Sequence, residues 1–270
     1  MKKTLIALAV AASAVVSGSA MAWQDGNFDN SVDIGGSITS DQPTWQWKVG
    51  NASADAINLK LADATQSGND NVWEGIGDKA YPILLGKTKF EYSGVAAGMS
   101  PVISYSGDGF YIKHVSDSAP IVGLQATGKT DATKVGKLEF KMNVFTLADL
   151  VWKGNGVTTQ DRDIYQVIAD TSKNYGNGYL QNAGYVKTQT AEGMKNELTR
   201  LLGADMITIA ASANPVNNYT GPNMFDRVDA SNLEGVYGSE YIAKSGKLTF
   251  PQNATPTDWK ATLKVTVSYQ

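Results

Sequence analysis

One stretch matches a chemical motif outright. Gly123-Leu124-Gln125-Ala126-Thr127-Gly128-Lys129-Thr130 fits the G-x-x-x-x-G-K-[ST] spacing of a phosphate-binding loop. That chemistry needs a helix to begin at the lysine, so that free N–H groups at its N-terminus meet the phosphates. Here Asp131 to Gly136 follows, and then a new alternating stretch from Leu138. A turn between two strands supplies no helix end, so nucleotide binding is not expected. Asp161 and Asp163 form a candidate carboxylate pair. A glycosidase needs two carboxylates across a scissile bond, whereas these two sit where a helix would start and would favour its dipole. The chain has no cysteine and one histidine, His114. Thiol nucleophiles and Cys-containing zinc sites are excluded, and a His-only metal site would need several histidines. His114 shares parity with Phe110 and Ile112 and reads as a core-edge residue. No cofactor, metal or catalytic residue is expected. Asn-x-Ser/Thr triplets at Asn51, Asn218 and Asn253 are read as chance.

A second composition points to binding. Trp152, Lys153, Asn155, Asn174, Tyr175, Asn177 and Tyr179, with Tyr185 nearby, combine aromatic rings with amides in Gly-rich sequence. A flat ring stacks on the C–H face of a sugar while amides and charges take its hydroxyls. The alternative is that these rings pack an inserted segment onto the rest of the domain.

The elements that must position these residues are mostly strands. Trp45, Trp47 and Val49 alternate with polar residues, as do Ile57, Leu59 and Leu61. Ile83-Leu84-Leu85, Pro101 to Tyr105, Phe110 to Val115 and Ile121 to Ala126 read as further short strands, with a polar loop from Gln66 to Asn71. Leu138, Phe140, Met142 and Val144 alternate clearly. The alternation from Trp259 through Ala261, Leu263, Val265 and Val267 to Tyr269 predicts one long final strand. Many short strands with Gly-rich turns predict a β-sandwich or barrel. The region of about 147–203 breaks the pattern. Ile164, Val167 and Ile168 recur at helical spacing, and Met194, Leu198, Leu201 and Leu202 share a helix face. Thr190 suits the N-cap of that second helix and Gly203 its left-handed C-terminal residue. This region is read as a partly helical insertion in a β domain.

The start of the chain is organised differently. Met1-Lys2-Lys3-Thr4, the apolar run Leu5 to Val16 and the ending Ala20-Met21-Ala22 predict a secretory signal peptide over 1–22. The run is too short to span a bilayer. The net charge of −3 and the lack of a basic cluster argue against a nucleic-acid partner. In 23–40, Phe28, Val32, Ile34 and Ile38 share one parity with Gly36, and Asp29, Ser31, Asp33, Gly35 and Ser37 share the other. This is a strand with one apolar face, which must be buried in a groove. It either pairs with Trp45–Val49 as a hairpin or fills a groove in another chain.

Several of these pieces together resemble one family. They are Ser31-Val32-Asp33-Ile34-Gly35-Gly36-Ser37-Ile38-Thr39, Trp45-Gln46-Trp47-Lys48-Val49-Gly50, Pro82-Ile83-Leu84-Leu85-Gly86 and Thr133-Lys134-Val135-Gly136, together with the alternating C-terminal strand and its penultimate Tyr269. The chain is similar in them to the FaeG-type major subunits of chaperone–usher fimbriae. The resemblance implies an all-β fold with a helical insertion. It is an incomplete immunoglobulin-like sandwich, formed by 41–270 and completed by a donor strand from a neighbouring subunit. It implies that Val32, Ile34, Gly36 and Ile38 lie on the donor face and that Val265, Val267 and Tyr269 border the groove. The implied partners are identical subunits, a periplasmic chaperone, an outer-membrane usher and host-cell glycoconjugates. The implied location is the cell surface, reached through the periplasm. The glycan-contacting residues do not carry over, because the insertion departs from the family pattern. Two other readings are an outer-membrane β-barrel and a secreted β-sandwich glycosidase. Most strands are too short for the barrel, which needs ~9–11 residues per strand.

Overall fold

A computed structural model describes residues 45–50, 57–89, 100–113, 119–152, 162–167, 191–207, 214–215, 225 and 229–269. Its strands are β1 (Trp45–Val49), β2 (Thr65–Ser67), β3 (Asp70–Ile76), β4 (Tyr81–Thr88), β5 (Pro101–Ser106), β6 (Tyr111–Lys113), β7 (Ile121–Gly128), β8 (Val135–Trp152) and β9 (Arg162–Gln166). Helix α1 (Ala191–Leu202) follows, and then β10 (Asn214–Pro215), β11 (Ala230–Tyr241), β12 (Gly246–Pro251), β13 (Trp259–Ala261) and β14 (Lys264–Tyr269). All pairings are antiparallel except β10 with β9. The fold is therefore all-β with a helical insertion.

Strand β8 joins two sheet regions. Its first half pairs with β7 on one edge and β12 on the other. Beyond β12 lie β3 and β2, and the outer edge of β7 is shared by β6 and β13. Its second half pairs with β11 and β9, and β4 and then β1 extend the sheet beyond β11. Strands β14 and β5 form a separate pair. One core takes Trp45, Leu84 and Tyr237 from the β1–β4–β11 region, Val122, Phe140, Leu248, Phe250 and Trp73 from the other, and Ile103 and Tyr105 from β5.

The expected boundary near Leu147 falls inside β8, which runs on to Trp152. Every residue from Val144 to Val151 is buried. Val144, Ala148 and Leu150 face the main core, while Phe145 and Leu147 face a second one. A strand covered on both faces loses its alternation and reads as a continuous apolar run. The same cause corrects the helical reading of the segment after Asp161. Arg162–Gln166 is a strand on the edge of β8. Ile164 enters the second core while Tyr165 and Val167 enter the first.

Helix α1 accounts for the second core. Met194, Leu198 and Leu202, spaced four apart, pack on Leu85, Phe145, Leu147, Ile164 and Val236. Gly203 follows with φ +56, the left-handed conformation expected there. On the flank of the helix, Arg200 Nη2 donates to Glu240 Oε2 at 2.7 Å, and Asn143 Nδ2 donates to Oε1 of the same carboxylate at 3.2 Å.

Two further expectations change. The polar stretch Gln66–Asn71 is a hairpin, with Ser67 opposite Asp70 around Gly68-Asn69. Gly68 takes φ +60, which turn glycines supply. The predicted single C-terminal strand is broken at Thr262-Leu263. It changes partner there, from β7 to β5. A Cβ on Gly107 would lie within 2.5 Å of the Thr262 carbonyl oxygen, so the break sits against the turn that ends β5.

Candidate functional site

Strands β13 and β14 alternate as the sequence predicts. Trp259, Ala261, Leu263, Val265 and Val267 are half-buried and pack on the main core, and the residues between them are exposed. Among the described residues β14 pairs with β5 alone, so a two-stranded ribbon carries an apolar row on its inner face. Tyr269, at the end of β14, is 43% exposed. Its hydroxyl accepts a hydrogen bond from Trp47 Nε1 at 2.7 Å, which ties the end of β14 to β1. Trp47 is itself stacked on Trp45, with ring centroids 5.1 Å apart.

A cleft of about 440 Å³ opens beside Trp259. Ile57, Leu59, Trp73, Leu248 and Phe250 supply apolar walls, and Leu61 stands exposed at its lining. Lys129, Gln252 and Asp258 add polar groups. Side-chain bonds brace the loop after β12. Asn71 Nδ2 donates to Thr255 Oγ1 at 2.9 Å, and Thr255 Oγ1 donates to the Pro251 carbonyl at 3.0 Å. Thr130 Oγ1 donates to Asp258 Oδ1 at 3.2 Å. This side of the cleft is thereby fixed in shape.

The phosphate-loop pattern lies along β7 and the turn after it. Residues 131–134 form a turn and β8 begins at Val135, so no helix follows Lys129. Gly123 is required for a different reason: the Tyr111 ring occupies the space its side chain would need. Tyr111 donates to Glu139, and Lys137 Nζ lies 4.9 Å from the Tyr111 ring centroid. That hydrogen bond and burial push the Tyr111 hydroxyl above its ordinary range, burial being the larger cause. Among the described residues no group of three or more His, Cys, Asp or Glu side chains could hold a metal ion.

Of the aromatic–amide set, the described residues include Trp152. It closes β8, half-buried. Its Nε1 donates to Asp163 Oδ2 at 2.8 Å and lies 3.0 Å from the Tyr165 hydroxyl, and Tyr165 donates to Asp163 at 3.2 Å. The two rings meet edge to face at 5.8 Å. Asp163, considered above as half of a carboxylate pair, therefore accepts from both aromatic side chains. Lys153, Asn155, Asn174, Tyr175, Asn177 and Tyr179 lie outside the described residues. So do His114, the donor positions Phe28, Val32, Ile34, Gly36 and Ile38, and the segment 1–22. The cleft walls Ile57, Leu59, Trp73, Leu248 and Phe250 were not singled out as a site by sequence reasoning. The alternation of Ile57 and Leu59 was their one signal.

Among the described residues the last strand has one strand partner, and the helix sits on one sheet of an all-β domain. Residues 1–270 match the family model described as "Fimbrial, major and minor subunit", and the chain belongs to that family. It is 31% identical over 297 residues to the K88 fimbrial protein AC of Escherichia coli and 32% identical over 299 residues to K88 fimbrial protein AB of the same organism. It is 24% identical over 274 residues to the K88 minor fimbrial subunit FaeI, also from Escherichia coli. Each alignment covers the whole of both chains. The chain is thus a structural subunit of a cell-surface fimbria, and its identity to K88 fimbrial proteins AC and AB is higher than to this minor subunit.

Proposed function

We propose that this chain is a major fimbrial subunit that polymerises by donor-strand exchange and carries a glycan-binding site on each copy. The observation that carries the first half is the inner row of β13 and β14. Ala261, Leu263, Val265 and Val267 reach the core, yet β14 has one strand partner among the described residues. A two-stranded ribbon over an apolar core leaves main-chain groups and apolar surface available to a further strand. The stretch Phe28–Ile38 has the matching alternation. Burying Phe28, Val32, Ile34 and Ile38 would contribute ~1.5–3 kcal/mol each before ordering costs. Gly36 fits a point where the groove floor comes close to the donor backbone.

On this reading the segment 1–22 directs export. A periplasmic chaperone shields the edge at Val265, Val267 and Tyr269, and an outer-membrane usher mediates the exchange. The protein acts by binding, without catalysis. The test is Ile34→Asp. A carboxylate in a dry groove is costly, so the subunit should accumulate with its chaperone and form no fibres. Ordered fibres from this variant would overturn the donor-strand reading.

The glycan half rests on the aromatic and amide residues of the insertion. A ring fixed by hydrogen bonds, as Trp152 is by Asp163 and Tyr165, is a preorganised stacking face. Lys153, Asn155, Asn174, Tyr175, Asn177 and Tyr179 supply the accompanying polar groups and rings. Repetition along a fibre raises avidity by ~10²–10⁴, so a weak single site suffices. Trp152→Ala and Tyr175→Ala fibres of normal length should lose binding on a glycan array. Wild-type binding by both variants would place the site elsewhere.

A further inference from the structure

Two strands alone make a marginal sheet in water, yet β5 and β14, which among the described residues pair only with each other, stay mounted on the main core. The means is visible where the β4–β11 ladder is irregular. Ser239 lies opposite Leu84, but Glu240 lies opposite Pro82, so Ile83 is an extra residue on β4. Pro82 has no N–H to give to a ladder, and the shift falls beside it. Ser239 Oγ takes up the local main chain: Leu84 N donates to it at 3.1 Å, and it lies 3.5 Å from the Leu84 carbonyl.

The same oxygen accepts a hydrogen bond from Tyr105 of β5 at 2.9 Å. The Tyr105 proton is thereby committed, so at 2.7 Å it is Tyr237 that donates to Tyr105. The chain of donors runs Tyr237 to Tyr105 to Ser239 to the Leu84 carbonyl, and every hydroxyl proton is placed. Tyr105, Tyr237 and Ser239 are all buried. Burial pushes the Tyr105 hydroxyl up to about 12 and raises that of Tyr237 well above its usual value. Both remain neutral donors throughout the physiological range.

We propose that Tyr105, Tyr237 and Ser239 are a fastener that holds the β5–β14 ribbon in strand-accepting position before the donor strand arrives. They are positioning residues: they touch β4, β5 and β11, and act on an incoming strand through the ribbon. The inference rests on the donor-strand reading for its purpose, but its structural content, an anchored ribbon, is separate. A hydroxyl relay suits the task. Apolar contacts alone would let β5 slide along the core, whereas hydrogen bonds of fixed length and direction hold one register.

The experiment compares the full chain with Tyr105→Phe/Tyr237→Phe, each purified from the periplasm with its chaperone. The double change removes both hydroxyls at nearly constant volume and leaves Ser239 bonded to Leu84, so folding is preserved. Two readouts are taken. The first is hydrogen exchange of the β5 and β14 amides. The second is the rate at which a labelled peptide of residues 23–40 is captured. The fastener predicts exchange faster by about tenfold, confined to β5 and β14. It predicts a similar fall in capture rate, while the peptide-filled subunits unfold at closely similar temperatures. Unchanged exchange at β5 and β14 overturns the fastener. So does an increase spread evenly over all strands, which marks general destabilisation. If the wild-type subunit captures no peptide, the donor-strand reading falls, and the exchange comparison decides the fastener by itself.

Discussion

Removal of Arg200 should loosen the insertion, and its cost is set by the geometry around Glu240. That carboxylate is 4% exposed on β11. It receives Arg200 Nη2 at 2.7 Å and Asn143 Nδ2 at 3.2 Å. Breaking a buried ion pair by deleting one partner costs roughly 3–5 kcal/mol, because a charge is left behind. Two features lower that figure here. Asn143 remains as a donor, and the Arg200 side chain is 49% exposed, so water can enter where it leaves. Arg200→Ala should therefore cost about 2–3 kcal/mol. Glu197, the other partner of Arg200 at 2.7 Å, is 38% exposed, and Glu197→Ala should cost about 0–1 kcal/mol. The assay is equilibrium urea unfolding of the purified full chain, with hydrogen exchange at α1. Replacing both partners, as Arg200→Met with Glu240→Met, should recover most of the loss, since no orphaned charge remains. The reasoning is refuted if Arg200→Ala and Glu197→Ala cost the same, or if the double replacement is worse than Arg200→Ala.

Gly123→Val should destabilise by ~1–3 kcal/mol in the same assay, because its side chain needs the volume that the Tyr111 ring fills; Tyr111→Ala in the same chain should relieve part of that. Val267→Asp should lower steady-state periplasmic levels several-fold on immunoblots, since the charge would sit in the inner row of β14 that packs on the main core. The buried tyrosines predict an alkaline limit. Tyr105 and Tyr241 titrate near 12 in the folded chain against an ordinary value of 10.0, chiefly through burial. Their raised values favour the folded state fully below about pH 10, and that contribution is lost as pH rises from there through about 12. Urea midpoints should fall across that window, and Tyr105→Phe/Tyr237→Phe should flatten the fall.

Which parts of this fold are legible in the sequence follows from what covers each strand. Leu138 to Val144 alternates because one face meets the core and the other is partly open to water. The same strand becomes unreadable from Val144 to Val151, where α1 covers the second face. Ile164 and Tyr165 mislead for the same reason: adjacent apolar residues serve two cores, and the spacing imitates a helix turn. Helix α1 is legible because it is covered on one side, so Met194, Leu198 and Leu202 form a stripe. The break at Thr262 is illegible because alternation reports the face of a strand and says nothing of its partner. At the site, the inner row of β13 and β14 is visible in that alternation. The cleft walls are not, because Trp73, Leu248 and Phe250 are drawn together from β3 and β12 by pairing across the chain. The hydroxyl relay is equally hidden, since Tyr105 and Ser239 are 134 positions apart.

The central claim is that a neighbour's Phe28–Ile38 stretch lies against β14. The chain has no cysteine, so an introduced pair reports contact without background. Residues directly opposite on paired strands have Cα atoms ~4.5–5.5 Å apart, within the range that a disulfide spans. Ile34→Cys is combined in turn with Val265→Cys and with Val267→Cys, and fibres are oxidised and run on a non-reducing gel. Exchange between subunits predicts a ladder of dimers, trimers and longer species with at least one of the two pairs, collapsing to a single band on reduction. Monomers alone from both pairs, or a bond closed within one chain, would contradict it.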